Sequence, residues 1–332
     1  MKRNSKRSIL FIILITVVVL VFALKDDVDQ KIKYLFSFDL AYLLLACFLF
    51  VLYLVCRTIS LHFFIKKFEN NYKFGKTFKL MLETQFVNNI TPFAAVGQPY
   101  QIYKFKKQNI DVSKGTNIVI EDFIVYQMAL IILGSVAILI NYFLHFFEND
   151  LFLKKLVIIG YIINLLVIVF LFFLSFNKKS NTFILDKIIK IGTSLKIIKR
   201  KEEYLNKKYE YIDNFHKGAL KLFKDKGYFI LMILINILGL ILLYLIPFAL
   251  ITGLGYSITP LSALVATSYV MIVSAFIPTP GASGGIEFCF TVFFGTFITG
   301  PVLSSIMIAW RFITYYMGFI IGAFAIVKED KI

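Results

Sequence analysis

The chain alternates long apolar runs with short lysine-rich intervals, and the runs predict helices over 8–24, 40–65, 116–146, 151–176, 228–251 and 302–327. Runs of this length cross a hydrocarbon core of ~30 Å, which takes ~20 residues of helix. Two more stretches, 77–103 and 260–299, are apolar at their flanks but broken inside. The first break is Thr91-Pro92-Phe93-Ala94-Ala95-Val96-Gly97-Gln98-Pro99, and the second is Pro278-Thr279-Pro280-Gly281-Ala282-Ser283-Gly284-Gly285. A helix break inside a bilayer strands backbone N–H and C=O groups unless protein or a water-filled cavity satisfies them. One such break in each half of a membrane protein points to a substrate site between the halves.

Loop charge orders the segments across the membrane, since cytoplasmic loops carry the excess of Lys and Arg. Lys2, Arg3, Lys6 and Arg7 place the N-terminus in the cytoplasm, and a retained first helix follows because no small-residue cleavage site precedes Lys25-Asp26-Asp27. The 25–39 loop sets three lysines against four aspartates, which suits the outer side. Lysines flank 77–103 on both sides, so that stretch enters and leaves on the inner face as a re-entrant hairpin. Segments 116–146 and 151–176 go out and return, with Glu148 and Asp150 in the outer turn. Residues 177–227 hold fourteen Lys and Arg and stay inside. After 228–251 crosses outward, parity makes 260–299 begin and end outside, as a second hairpin or two full helices, and the C-terminus is cytoplasmic. The expected fold is all-α: a polytopic helix bundle over 1–332 with inverted-repeat-like halves, 1–176 and 228–332, each holding a broken re-entrant hairpin.

Composition agrees. The chain is 59% hydrophobic and 17% aromatic, and its mean hydropathy is +0.79. A net charge of +16 lies between apolar segments, where it matches loops near anionic headgroups rather than nucleic acid. Cys47, Cys56 and Cys289 sit in apolar runs as free thiols, and three scattered histidines have no metal-ligand spacing. In 177–227, Ile184, Ile188, Ile191, Leu195 and Ile198 form one helical stripe; Leu205, Tyr209, Ile212, Phe215, Ala219 and Leu222 form another. Such basic amphipathic helices lie on the membrane surface or cover the inner face of the bundle.

The candidate chemistry gathers around the breaks. Thr84, Gln85, Asn88 and Asn89 share a helix face running into the first break, beside Glu83, and Thr91 and Gln98 lie in the break. Ser113, Asn117 and Glu121 share a face of the next helix, with Asp122 adjacent. Around the second break stand Pro280, Gly281, Ser283 and Glu287, the last where a helix N-terminus favours a carboxylate. Arg311 falls near the midplane of the last helix with Tyr315 one turn on, and a charge at that depth needs a carboxylate partner or an anionic substrate. Arg57, nearer a helix end, is placed to snorkel. Gly281-Ala282-Ser283-Gly284-Gly285 fits the G-x-S-x-G nucleophile pattern, but no histidine follows it and its surroundings are helical, so hydrolase chemistry is set aside. Gly318 and Gly322 form a G-x-x-x-G pair suited to packing in the bundle or between two copies of the chain.

Three blocks carry a family resemblance: Asn89-Ile90-Thr91-Pro92 with Gly97-Gln98-Pro99, Pro278-Thr279-Pro280-Gly281 running to Gly285 and Glu287, and Arg311-Phe312-Ile313-Thr314-Tyr315-Tyr316 leading to Gly318 and Gly322. Through them the chain resembles the transmembrane family of lysylphosphatidylglycerol synthases and their stand-alone, flippase-like relatives. Similar proteins tend to carry an arginine after the glutamate where this chain has Glu121-Asp122. The resemblance implies movement of an anionic or aminoacylated phospholipid, or a related lipid-linked headgroup, between leaflets of the bacterial plasma membrane, in the setting of antimicrobial-peptide resistance. The implied partners are that phospholipid and a separate lipid-modifying enzyme. No cofactor is implied, and lysyl transfer is not expected without the soluble transferase domain of the fused members. In this expectation Arg311 holds a phosphate, and Glu121, Asp122 or Glu287 answers a cationic headgroup. Asn88, Asn89, Gln98 and Ser283 supply neutral hydrogen bonds. A non-transporting scaffold for a lipid- or polysaccharide-modifying enzyme and a small-solute transporter are the other readings.

Overall fold

The computed structural model describes residues 28–93, 96–147, 151–179, 182–183, 186–187, 212–214, 216–218, 220 and 225–327. Its regular elements are helices: α1 (Val28–Phe36), α2 (Leu40–Lys66), α3 (Phe74–Asn89), α4 (Gly97–Lys107), α5 (Val112–Leu144) and α6 (Leu151–Phe176) make the first half. The second half has α7 (Lys226–Tyr244), α8 (Ile246–Gly253), α9 (Pro260–Ser274), α10 (Gly285–Phe294), α11 (Pro301–Arg311) and α12 (Gly318–Val327). A π-helical turn, Phe312–Met317, joins α11 to α12. Among the described residues, five segments are long and apolar enough to cross a membrane: 40–66, 112–144, 151–174, 226–253 and 301–327. The fold is an all-α polytopic bundle. The expected helix at 8–24, the outer turn at Glu148 and Asp150, and most of both cytoplasmic stripes lie outside the described residues.

Local chemistry sets the helix ends. Asp39 caps α2 through the Ala41 N–H at 2.8 Å. Asp111 caps α5 by accepting from the Ser113 N–H and hydroxyl, both at 2.7 Å, and these bonds hold its carboxyl below the ordinary range. Pro247 and Pro260 sit in the first turns of α8 and α9, where a missing N–H costs no helix bond. Two expectations change. The 25–39 interval is not all loop: Val28–Phe36 is helical, its Tyr34 and Leu35 pack on the core, and Lys31 is buried where its carbonyl accepts from Ser305. The 228–251 run is two helices, parted at Leu245 just before Pro247.

The arms of both broken stretches are too short to span. At 1.5 Å per residue α3 and α4 are about 24 and 16 Å long, and α9 and α10 about 22 and 15 Å, against ~30 Å of hydrocarbon. For 260–299, two full helices are therefore excluded. The last helix acts as a ruler for both hairpins. Along its first half, Thr291 faces Met307 and Phe290 stacks on Trp310 at 4.8 Å. Along its second half, Gln85 faces Gly318 and the Leu82 carbonyl faces Gly322. Hence α10 descends from one end of the bundle and α3 rises from the other. Their tips meet at the level of Arg311 and Tyr315, where Pro92 and Pro280 form an isolated antiparallel bridge. Gly322 allows the close approach, since a Cβ there would lie 2.4 Å from the Leu82 oxygen, so this G-x-x-x-G pair packs inside the bundle.

Candidate functional site

Arg311 ends α11 and is 5% exposed. Its Nε lies 2.7 Å from Glu287 Oε1. Its Nη2 donates to the Gly281 carbonyl at 3.1 Å and the Ser283 hydroxyl at 3.2 Å, and the guanidinium stacks 4.4 Å above the Tyr315 ring. Glu287, in the first turn of α10, also accepts the Gly284 N–H at 2.6 Å, so one carboxylate satisfies both a helix N-terminus and the arginine. Taking either partner away would leave a buried charge, at a cost of about 3–5 kcal/mol.

Tyr315 carries the link to the other tip. Its hydroxyl donates to the Asn89 carbonyl at 3.0 Å, and Asn89 Nδ2 donates back to the Tyr315 carbonyl at 3.2 Å. Both tips hold left-handed backbone: Phe93 at φ 56°, Gly281 at 59°, Ala282 at 54° and Gly284 at 88°. Non-glycine residues there store ~1–3 kcal/mol each, and such strain gathers at functional sites. At Gly281 any Cβ would also come within 2.0 Å of the Tyr315 ring.

Beside the tips lies a cavity of about 230 Å³. Gln85, Asn88 and Asn89 of α3 line it with Gly281, Trp310, Arg311, Thr314 and Tyr315, while Tyr53 of α2 and Tyr126 of α5 close the far wall. Three polar atoms of its lining residues, Asn88 Oδ1, Trp310 Nε1 and Arg311 Nε, are buried without a hydrogen bond, the last facing Glu287 as an ion pair. Of the expected residues, Asn88, Asn89, Gly281, Arg311 and Tyr315 meet at this cavity; Pro280, Ser283 and Glu287 do not line it, Ser283 and Glu287 holding Arg311 and Pro280 bridging to Pro92. Thr91 spends its hydroxyl on the Val87 carbonyl at 2.9 Å, and Gln98 is half-buried in the first turn of α4. Neither Thr91 nor Gln98 lines the cavity. Thr84 likewise bonds back to Leu80.

Over residues 9–322 the chain matches the family described as the lysylphosphatidylglycerol synthase TM region. The chain belongs to that family. It is also similar to a UPF0104 membrane protein of Archaeoglobus fulgidus, 24% identical over 254 residues that make up 76% of each chain. Family membership and the apolar helices make this a multi-pass membrane protein.

Asp122 is paired within the bundle. Asp122 pairs with Arg57 Nη2 at 2.9 Å and accepts from the Ser60 hydroxyl at 2.6 Å. Asn236 of α7 completes the cluster by accepting from Arg57 and donating to Ser60 at 2.9 Å. Two expectations are corrected. Arg57 does not snorkel, because Asp122 and Asn236 hold it inside the bundle. Asp122 and Glu121, both buried, do not line the cavity, because α5 turns Tyr126 toward it instead. Asn117 faces outward from the cavity too, donating to the Asn214 carbonyl at 3.1 Å. A third buried pair, Glu83 with Lys104 at 2.9 Å, ties the two arms of the first hairpin, and the Tyr100 hydroxyl joins it at 3.0 Å. Sequence reasoning passed over Tyr53, Tyr126, Ser60, Asn236 and Trp310. The signal for Asn236 was there, as a polar residue deep in an apolar run.

Proposed function

We propose that this protein moves a phospholipid with an anionic or aminoacylated headgroup between the leaflets of the plasma membrane, without chemical change to the lipid. The observation that carries the reading is Arg311, buried at the junction of two opposed hairpin tips with a cavity beside it that polar side chains line. At about 230 Å³ the cavity falls below the ~300–1,000 Å³ of pockets that enclose drug-sized ligands. It suits a headgroup whose acyl chains stay in lipid. Arg311 holds the phosphate, and Asn88, Asn89 and Gln85 offer neutral hydrogen bonds. In this orientation both termini face the cytoplasm, as the loop lysines require.

The test is translocation of a fluorescent phospholipid in proteoliposomes, read by quenching of the outer leaflet. Arg311→Ala should slow it by about tenfold or more, as loss of a buried charge contact does. Equal rates with and without Arg311 would remove the site. Purified protein that moves no lipid would favour instead a membrane subunit that docks a separate lipid-modifying enzyme through its basic 177–227 segment.

A further inference from the structure

A second cavity lies at the C-terminal end of α6 and shares no lining residue with the one at the hairpin tips. It measures about 550 Å³ and is lined by Phe172, Phe173, Asn177, Lys178, Lys179 and His216. Its floor and its rim differ in kind. Phe172 and Phe173 belong to the 151–174 segment, which is apolar enough to cross a membrane, and Phe173 is exposed there. Asn177 follows the end of that helix and accepts the Lys179 N–H at 3.1 Å, a turn that sets Lys178 and Lys179 just past the span. At about 1.5 Å per residue the lysines stand about 8 Å beyond the phenylalanines. That matches the depth of one headgroup layer, since ~30 Å of hydrocarbon widens to ~40–45 Å with both layers. The opposite wall, with His216, comes from the 212–218 segment. That segment is held to α5 by the Asn117 bond to the Asn214 carbonyl at 3.1 Å and by a close approach at Gly218. Lys178 and Lys217 both donate to Asp213, at 2.6 and 2.7 Å. One carboxylate thus answers two lysines, and exposed Lys179 adds a third positive charge.

We propose that this cavity holds a glycerophospholipid of net negative charge, in the leaflet at that end of α6, as a resident lipid distinct from any that is moved. The surplus positive charge calls for an anion, and the phenylalanine floor calls for an acyl chain. One anionic phospholipid supplies both. A soluble phosphate would meet the lysines and leave the floor unanswered, and a zwitterionic lipid would bring a cation of its own beside Lys178 and Lys179. A lysine at a membrane surface favours anionic lipid by about fivefold, so two lysines on one rim make a selective site. The lipid phosphate gives Lys178 and Lys179 the counter-charge that Asp213 alone does not supply. It thereby fixes the 212–218 segment between α5 and α6 at the membrane surface. Arg311 has no part in this site, so the site stands whether or not the protein transports lipid.

The test is photo-cross-linking from the floor of the cavity. p-Benzoylphenylalanine in place of Phe173 captures the occupant; in place of Phe170, exposed on α6 but outside the cavity, it samples the surrounding bilayer. The full chain is irradiated in vesicles of equal parts phosphatidylglycerol and phosphatidylcholine, and the adducts are identified by mass spectrometry. Adducts at 173 should be enriched in phosphatidylglycerol by about tenfold or more over those at 170, and equal compositions overturn the site. Lys178→Gln with Lys179→Gln should bring the composition at 173 down to that at 170. Should that variant fail to fold, Lys179→Gln alone leaves both Asp213 pairs in place and should cut the enrichment about fivefold. Undiminished enrichment in either variant overturns the proposal. Excess inorganic phosphate at matched ionic strength should leave the enrichment unchanged; if it erases it, the lysines serve a free anion and the lipid occupant is wrong. Protein that keeps the enrichment but moves no lipid overturns the transport reading alone, and protein that moves lipid without the enrichment overturns this site alone.

Discussion

Gly281 shows how tightly single residues are specified at the hairpin junction. Its φ of 59° and its contact with the Tyr315 ring leave no room for a side chain. Gly281→Ala should lower the thermal midpoint in detergent, with a loss of about 1–3 kcal/mol from backbone strain before any clash is counted. An unchanged midpoint would show that the tip can rearrange. Asp213 makes a different residue-level case, outside the membrane. Lys178 and Lys217 donate to it at 2.6 and 2.7 Å, and these bonds pull its carboxyl down to about 2. A depressed carboxyl contributes stability that is present above its unfolded value of ~3.9 and is lost as pH falls through the folded one. The latch between the end of α6 and the 212–218 segment should therefore hold at neutral pH and open only between about pH 4 and 2. Carboxyl-carbon NMR of Asp213 checks this, and a midpoint near 4 would mean the lysines do not engage it in solution.

Among the elements, the hairpins were readable because proline and glycine announce a break whatever surrounds them. Lysines on both flanks of 77–103 gave its re-entrant course, and parity gave the opposite entry of 260–299. Arg311 was readable from depth alone, since a charge near a midplane demands a partner, and Glu287 proved to be it. The environment of Arg57 was not readable in the same way. Its partners Asp122 and Asn236 lie 65 and 179 positions away in the chain, and spacing within one helix says nothing about which neighbour it faces. The α1 helix escaped notice because nine residues of mixed polarity resemble a charged loop until α11 packs against them. Glu121 and Asp122 were assigned to the cavity by proximity in sequence, when the face of α5 that turns inward carries Tyr126.

In the whole molecule, two half-length hairpins from opposite ends close on each other at mid-depth. The Pro92–Pro280 bridge and the Tyr315–Asn89 bonds are the junction. If a headgroup passes between the tips, fixing them together must stop it. Pro92→Cys with Pro280→Cys, in a chain whose Cys47, Cys56 and Cys289 are replaced by alanine, should cross-link on oxidation. Translocation should then fall by about tenfold or more and return on reduction. Cross-linked protein that still transports would place the path elsewhere in the bundle.

The π turn at Phe312–Met317 has a consequence for insertions and deletions. An α-helix advances about 100° per residue, so removing one residue from α11 or α12 would swing Arg311 away from Glu287 or Gly322 away from Leu82. The wide turn holds one residue more than an α-turn would need, and it can give that residue up while both flanking faces stay aimed at their hairpins. Deleting the outward-facing Phe312 should therefore yield folded, monodisperse protein, whereas deleting Ile320 should not; equal yields on size exclusion would contradict this. Along an otherwise length-intolerant helix, this is the one place where the gene can lose a codon without the bundle losing its register.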